Sequence, residues 1–323
     1  MKHRMLPKYF KDYKWSNIAA MIKNNRRDPG ICKDVFRDRL VVISGATSGI
    51  GYHTARKFAS HGARLLCINR NEEKSAALRE EIEREFGVRC GYIIADLSVL
   101  KDVRRAAEEL RSMDTPIDVL VHNAGIYLTR RELTDEGFDR MFVVHHLAPF
   151  MINILLSGKL SSQGRARIIL VNSEGHRFAV WGLRLDDLNW EKRRYSGLKS
   201  YGSAKLAQLQ TMLLFDEYFR PAGVTINAMH PGAVKSETGQ ENSAFYRWVK
   251  RHFFDKVLRP TEIASESIYY LAVSRDLEGV SGKFFNLTKE EEPAPPALDK
   301  NAAFEIWARS IEMTGVPGII PKR

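Results

Sequence analysis

The chain has 323 residues, 44% hydrophobic and 28% charged, so it can bury a large core as two domains or as one α/β domain of roughly 250 residues with extensions. Its net charge is +11, but the first 39 residues carry eleven Lys/Arg against four Asp, so the basicity belongs to a tail and is no nucleic-acid footprint spread over the fold. Cys32, Cys67 and Cys90 form no Cys-x-x-Cys pair and no even-numbered framework, which argues against structural zinc and fits a reducing compartment. No apolar run approaches the roughly 18–20 residues of a membrane helix. No apolar core of about 7–15 residues follows the basic N-terminus as a signal peptide requires. The expected location is cytoplasmic.

Residues 1–38 interleave basic residues with Tyr9, Phe10, Tyr13 and Trp15. Ser16 is placed to cap a short helix through Ile18, Ala19, Met21 and Ile22, which Asp28-Pro29-Gly30 ends. The plain reading is an extension that packs on the domain. The sharper one is a peripheral contact with a membrane surface or another anionic partner. From Arg39 the pattern is regular. Leu40-Val41-Val42-Ile43 is a short apolar run typical of a buried parallel strand. Ser44-Gly45-Ala46-Thr47-Ser48-Gly49-Ile50-Gly51 follows and opens a helix that continues through Ala55, Phe58 and Ala59.

Next come a strand (Arg64–Asn69), a helix (Glu72–Phe86), a strand (Cys90–Ala95), a helix (Leu100–Ser112) and a strand (Asp118–His122). A long amphipathic helix over Asp135–Leu160 is expected to kink at Pro149. A strand (Arg167–Val171), a helix around Tyr201, a strand (Val224–Met229), a helix (Thr261–Ser274) and a strand (Lys283–Asn286) complete the series. Strict alternation predicts a doubly wound, Rossmann-type α/β fold: a parallel sheet of about seven strands with helices on both faces. It would span residues 39–290, between a basic extension (1–38) and a C-terminal extension (291–323).

A glycine-rich turn between a first strand and helix lets the backbone approach a pyrophosphate, which sits on the helix N-terminus. Here the spacing is Gly45-x3-Gly49-x-Gly51, which makes Gly45, Thr47, Ser48, Gly49, Ile50 and Gly51 candidate cofactor residues; a purely structural turn is the alternative. An acidic residue ending the second strand would bind a ribose 2′-hydroxyl and indicate NAD. Asn69-Arg70 stands there instead, and an arginine can hold a 2′-phosphate bidentately, so NADP(H) is expected over NAD(H) unless Arg70 is only a solvated loop cation. Asp96-Leu97 closes the third strand, where a carboxylate can accept from the adenine amino group. Asn123-Ala124-Gly125 closes the fourth, where small residues let a cofactor lie close to the sheet.

Ser200-Tyr201-Gly202-Ser203-Ala204-Lys205 puts a phenol and an ammonium one helical turn apart, on one face. A fixed cation within about 4–6 Å favours the phenolate and lowers a phenol by roughly 1–3 units, towards the range of efficient acid–base work. Alone, the spacing also fits an ordinary amphipathic surface pair.

Assembled, the motifs resemble the short-chain dehydrogenase/reductase family from about Arg39 to Thr314. Ser-Gly-x-x-x-Gly-Ile-Gly is similar to that family's Thr-Gly-x-x-x-Gly-Ile-Gly, and His122-Asn123-Ala124-Gly125 to its Asn-Asn-Ala-Gly. Val171-Asn172-Ser173 stands where the family keeps its active-site serine. Tyr201 and Lys205 match its Tyr-x-x-x-Lys, and His230-Pro231-Gly232-Ala233-Val234-Lys235-Ser236 its nicotinamide-side segment. Asp186-Asp187-Leu188-Asn189-Trp190 and Phe304-Glu305-Ile306-Trp307 resemble the retinol dehydrogenase-like branch, which includes the WW-domain-containing oxidoreductases.

The resemblance implies roles. Tyr201 would exchange a proton with the substrate oxygen, Lys205 would depress the tyrosine and hold the nicotinamide ribose, and Ser173 would stabilise charge on the reacting oxygen. Pro231, Gly232, Val234 and Ser236 would orient the carboxamide. It also implies homo-oligomers and an apolar alcohol or carbonyl substrate of retinoid or steroid size. Two departures are neutral: Ser44 for Thr, and His122 for the first Asn. The third is not: His145 stands where the family has a catalytic Asn. Histidine can donate, accept and, near neutral pH, carry the proton itself. The leading expectation is an NADP(H)-dependent oxidoreductase; the alternative is an NADP(H)-binding sensor or scaffold with an impaired site. A sugar-nucleotide epimerase is weaker, because the C-terminal region is short. Residues 237–259, with Phe245, Tyr246, Trp248, Phe253 and Phe254, read either as an aromatic lid over the nicotinamide or as a surface helix whose aromatics pack on the domain. Pro293-Ala294-Pro295-Pro296 reads as an extended spacer that returns the helix Ala302–Thr314 across the substrate mouth.

Overall fold

The computed structural model describes residues 8–14, 17, 21, 23–24, 27–234, 242 and 258–319. Its strands are β1 (Leu40–Ser44), β2 (Arg64–Asn69), β3 (Cys90–Ile94), β4 (Val119–His122), β5 (Ala166–Val171), β6 (Val224–His230), β7 (Phe284–Asn286) and β8 (Lys289–Glu291). They form one sheet in the order β3-β2-β1-β4-β5-β6-β7-β8. All neighbours are parallel except the β7–β8 pair. β8 is the strand that the sequence pattern misses: Lys-Glu-Glu offers no apolar signal and forms only because the chain turns back after Asn286.

The helices are α1 (Gly49–Ser60), α2 (Glu72–Phe86), α3 (Leu100–Ser112), α4 (Arg140–Gln163), α5 (Gly197–Phe219), α6 (Glu262–Val273) and α7 (Lys300–Thr314). One core layer joins α3, α4, α5 and α7 to the sheet; the other joins α1, α2 and α6. β1 is buried along its whole length, as its unbroken apolar run requires. The chain leaves β1 for β2 on one side and pairs β1 with β4 on the other. That switch opens a crevice at the carboxyl ends of β1 and β4, where doubly wound folds bind ligands.

Four expectations need correction. First, α4 starts at Arg140, not Asp135. Residues 133–139 instead make a turn closed by a Leu133–Asp139 bridge, and the Asp139 side chain caps the helix by accepting from Phe142 N at 2.9 Å. Second, the irregularity expected at Pro149 is a change of helix type one turn before it. A π-helical turn at Val143–Leu147 precedes the proline, and the His145 carbonyl that an amide at 149 would have reached accepts from Gln208 Nε2 at 3.0 Å. Third, α4 is buried nearly all round and is no amphipathic helix. It is long and apolar enough to cross a membrane by length and composition, and burial of 89% of its most apolar window accounts for that apolarity.

Fourth, the C-terminal segment is no extended spacer. Pro295–Leu298 forms a 3-10 turn, with Gln210 Nε2 donating to Pro296 O at 2.8 Å. α7 then lies against α4 and α5, away from the crevice mouth. Trp307 meets Phe150 and Phe215, and Ser310 accepts from His146 Nε2 at 2.7 Å. Its apolar face sends it into the core. The described part of the N-terminal extension packs on the domain. Tyr9 donates its hydroxyl to Asp299 Oδ2 at 2.8 Å, and Asn24 Nδ2 donates to Glu291 Oε1 at 2.7 Å. Trp15 and the Ser16 cap lie outside the described residues.

Candidate active site

The crevice has a volume of about 730 Å³ and is lined by residues from the ends of β1 through β6. At its centre is the turn after β1. Gly45 has φ +70°, a left-handed conformation that favours glycine. Gly51 packs so tightly that a Cβ would lie 2.0 Å from Gly45 O. Ser44 Oγ accepts from Asn123 N (3.0 Å) and Ala124 N (3.1 Å), so the serine hydroxyl ties β1 to β4. Asn123 Nδ2 donates to Gly45 O at 2.9 Å. The turn therefore presents Thr47, Ser48, Gly49 and Ile50 to the crevice at the start of α1, the arrangement that receives a phosphate.

Asn69 serves the turn from within: its Oδ1 accepts from Ala46 N at 2.7 Å. Arg70 is exposed at the crevice edge. Lys74, which the sequence reading passed over, lines the same edge. Asn71 caps α2 by accepting from Lys74 N at 2.8 Å, and this turn of chain brings the two cations to one rim. Asp96 and Leu97 line the crevice between β3 and α3. Asp96 Oδ1 accepts from Ser98 N (2.8 Å) and Ser98 Oγ (2.7 Å).

At the other end, β5 delivers Ser173 and α5 delivers Tyr201 and Lys205. All three line the crevice, with Pro231, Gly232 and Val234 after β6. Ser173 Oγ accepts from Gly175 N at 3.0 Å. Asn172 orders the floor: its Nδ2 donates to Lys205 O (3.0 Å) and to Gln208 Oε1 (2.7 Å). Lys205 is buried, with Nζ donating to Val171 O at 2.6 Å and lying 5.8 Å from the Tyr201 ring centre.

The electrostatics differ from the sequence argument. Burial pulls the Lys205 ammonium down to about 7. Burial also pushes the Tyr201 phenol above its ordinary value, while a hydrogen bond with Ser173 pulls it the other way. The lysine that was expected to activate the phenol is thus itself drawn towards neutrality by burial, and burial moves the phenol the opposite way from that expectation.

His145 lies edge-on to Tyr201, ring centres 5.0 Å apart. The π-helical turn of α4 carries it, and Gly125 makes room: a Cβ at 125 would lie 2.6 Å from His145 Cε1. Nε2 donates to Ile126 O at 2.7 Å. Burial first, then the Lys205 charge, hold the ring well below its ordinary value. The resting ring is therefore held towards its neutral form. His122 keeps a hydrogen-bonding role, with Nε2 donating to Asn153 Oδ1 at 2.9 Å.

Every predicted site residue lines the crevice except Gly51, which supports the turn from beneath, and Ser236, which lies outside the described residues together with Lys235 and the aromatics of the expected lid. Asn172, Arg140, Val144 and His230 line it without having been singled out. Asn172 and His230 carried a readable signal, their places beside Ser173 and Pro231.

The family model for short chain dehydrogenase matches residues 39–183. Human retinol dehydrogenase 13 is 32% identical over 307 residues, covering 92% of this chain and 92% of its own. The human WW domain-containing oxidoreductase is 32% identical over 286 residues, covering 85% of this chain and 68% of its own. Among solved structures, the L-sorbose reductase from Gluconobacter frateurii, complexed with NADPH and L-sorbose, superposes with a TM-score of 0.63 at 19% identity, covering 79% of this chain and 97% of that one.

Proposed function

The chain belongs to the short-chain dehydrogenase/reductase family of oxidoreductases, and on that premise we propose that it interconverts an apolar alcohol and its carbonyl compound with NADP(H). One observation carries the reading: Ser173, Tyr201 and Lys205 converge at one end of a crevice whose middle is the Gly45–Gly51 turn and whose far rim holds Arg70 and Lys74. The crevice suits a dinucleotide in volume and donor set. The turn and the start of α1 would hold its phosphates, Arg70 and Lys74 a 2′-phosphate, and Lys205 the nicotinamide ribose. When bound, the nicotinamide supplies or accepts the hydride. The L-sorbose reductase of the same fold was solved with NADPH, which supports the choice of cofactor.

Tyr201 gives a proton to the reacting oxygen or takes one from it. Ser173, its acceptor lone pair engaged by Gly175 N, donates its hydroxyl proton to that oxygen and steadies the charge that builds there. A phenol held above its ordinary value is a ready proton donor, so the resting site is poised for carbonyl reduction. Phe178 and Trp181, both more than half exposed on the segment after Ser173, and Leu198, one turn before Tyr201, favour an apolar substrate. Retinol dehydrogenases among the relatives support the same class. The second reading, an NADP(H)-binding sensor with an impaired site, rests on His145. NADPH oxidation with a panel of apolar aldehydes and ketones separates the two: turnover that Tyr201→Phe abolishes supports the enzyme. NADPH binding without turnover across the panel favours the sensor.

A further inference from the structure

Ser173 is moored from behind by a buried polar cluster. The 3-10 turn that follows it, Glu174–Phe178, is tied to the chain after β7 at two points besides its own hydrogen bonds. His176 donates from Nδ1 to Ser173 O (2.7 Å) and accepts at Nε2 from Ala294 N (3.0 Å). Arg177 Nη2 donates to Glu292 O at 3.0 Å. Two carboxylates and one guanidinium sit at the centre. Arg177 pairs with Glu174 and reaches Glu291 at 3.7 Å, with side chains only 12%, 13% and 3% exposed.

Glu291 Oε1 accepts from Asn24 of the N-terminal arm. The remaining oxygens, Glu174 Oε1 and Glu291 Oε2, are buried with no hydrogen-bond donor among the described residues. Both carboxylates face the one Arg177 guanidinium, an excess of buried negative charge that a single proton relieves. Two acceptors can bond only if one of them carries a proton. Among the described residues, the surrounding groups supply no second positive charge. His176 and His230 are held neutral by burial beside Arg177, Tyr13 faces Arg177 as a neutral phenol, and Lys14 pairs with Glu292 at the surface.

We propose that Glu174 is a positioning residue for Ser173: it shares one proton with Glu291, the shared proton closes a neutral clasp around Arg177, and the clasp fixes the Ser173 turn against the Glu291–Ala294 segment and the N-terminal arm. The consequence for turnover rests on Ser173 acting as proposed above; the shared proton does not. Loss of the proton leaves a buried negative charge with no donor, and the two carboxylates part. Burial holds Glu174 up at about 7, so release falls near neutrality. A carboxyl raised from 4.5 in the folded state contributes stability that is complete below 4.5 and lost as pH rises through about 7.

The test uses the full chain and the variants Glu174→Gln and Glu291→Gln. Infrared difference spectra across about pH 5 to 9 are expected to show a protonated-carboxyl band that fades near neutrality and is missing from both variants. The amide of Glu291→Gln offers a donor that does not titrate. The ratio of its kcat to that of the wild type is therefore expected to rise by about threefold or more as the pH climbs from about 6 to 8.5, with KM for NADPH unchanged. Its unfolding temperature is expected to gain on the wild type as the pH rises from about 4.5 to about 7. A wild-type spectrum without the band, or pH profiles that superimpose, overturns the proposal. If no substrate is turned over, the infrared and unfolding readouts still decide the shared proton, so failure here is separable from failure of the enzymatic reading. If Glu291→Gln does not fold, the wild-type infrared titration decides alone.

Discussion

Alanine at position 175 isolates the geometry on which the proposed reaction depends. Gly175 does not line the crevice, but a Cβ there would lie 2.7 Å from Tyr201 Cε1 and 2.9 Å from Cδ1. Ordinary contact begins at 3.4 Å, so the ring must retreat by about 0.7 Å, away from Ser173. The backbone at 175 is not left-handed, so alanine can adopt it. The gain from stiffening the unfolded chain, about 0.4–1 kcal/mol, offsets part of an overpacking cost of about 1–3 kcal/mol. The protein should fold. Misplacing a reacting group by about 1 Å costs on the order of 100-fold, or about 2.7 kcal/mol of barrier, so kcat should fall by about 30- to 100-fold. The assay is NADPH oxidation with a responsive carbonyl substrate, alongside a fluorescence titration of NADPH binding. Affinity for NADPH should hold, because the phosphate cradle in the middle of the crevice and the Arg70–Lys74 rim beyond it are untouched. A Gly175→Ala enzyme with kcat within about twofold of the wild type would refute the argument that ring position limits the reaction.

Four further outcomes are expected. Arg70→Ala should weaken NADPH binding by about ten- to 100-fold, the worth of charge-assisted hydrogen bonds, and leave NADH binding unchanged; equal losses for both cofactors in calorimetric titration would remove the 2′-phosphate role. Lys205→Met should be inactive yet more stable. A fall in the ammonium from 10.5 to about 7 corresponds to at most about 5 kcal/mol, a penalty complete below about pH 7 and gone by 10.5, so the gain in unfolding temperature should be largest in acid and vanish in alkali. His145→Asn should leave the shape of the kcat–pH profile between about pH 6 and 8 unchanged, because His145 stays neutral there; loss of an acid limb in the variant would show that the imidazole titrates. Trp307→Ala should cost about 3–5 kcal/mol in denaturant unfolding while leaving kcat/KM per folded molecule intact, since Trp307 packs on Phe150 and Phe215 and not on the crevice.

What could be read in advance follows the range of the forces involved. The strand–helix series, the Gly45–Gly51 turn and the Tyr201–Lys205 pair are local patterns: each is written within about ten residues, and the structure keeps each of them. The errors arise where a residue's fate depends on a distant one. Pro149 shows its missing amide in the sequence, but the π-helical turn before it and the donor that takes up the freed carbonyl, Gln208, are not visible there. Lys74 escapes notice because its position at the Arg70 rim is set by the Asn71 cap. The Glu174–Arg177–Glu291 cluster joins three chain segments that no spacing rule relates.

The sign of the Tyr201 shift fails for a related reason. A sequence shows which charge neighbours a phenol but not how much water the fold removes from both. Here the same burial that raises the phenol also lowers the amine, so the two groups move towards each other from opposite sides. Each group is then easier to turn to the other charge state than its exposed counterpart in one direction only: the lysine gives up its proton readily, and the tyrosine keeps its own. A site so arranged stores the proton on the phenol and has its ammonium partner poised near neutrality. Its acid function should therefore tolerate a wide pH range, while its base function should depend on whatever restores charge to Lys205.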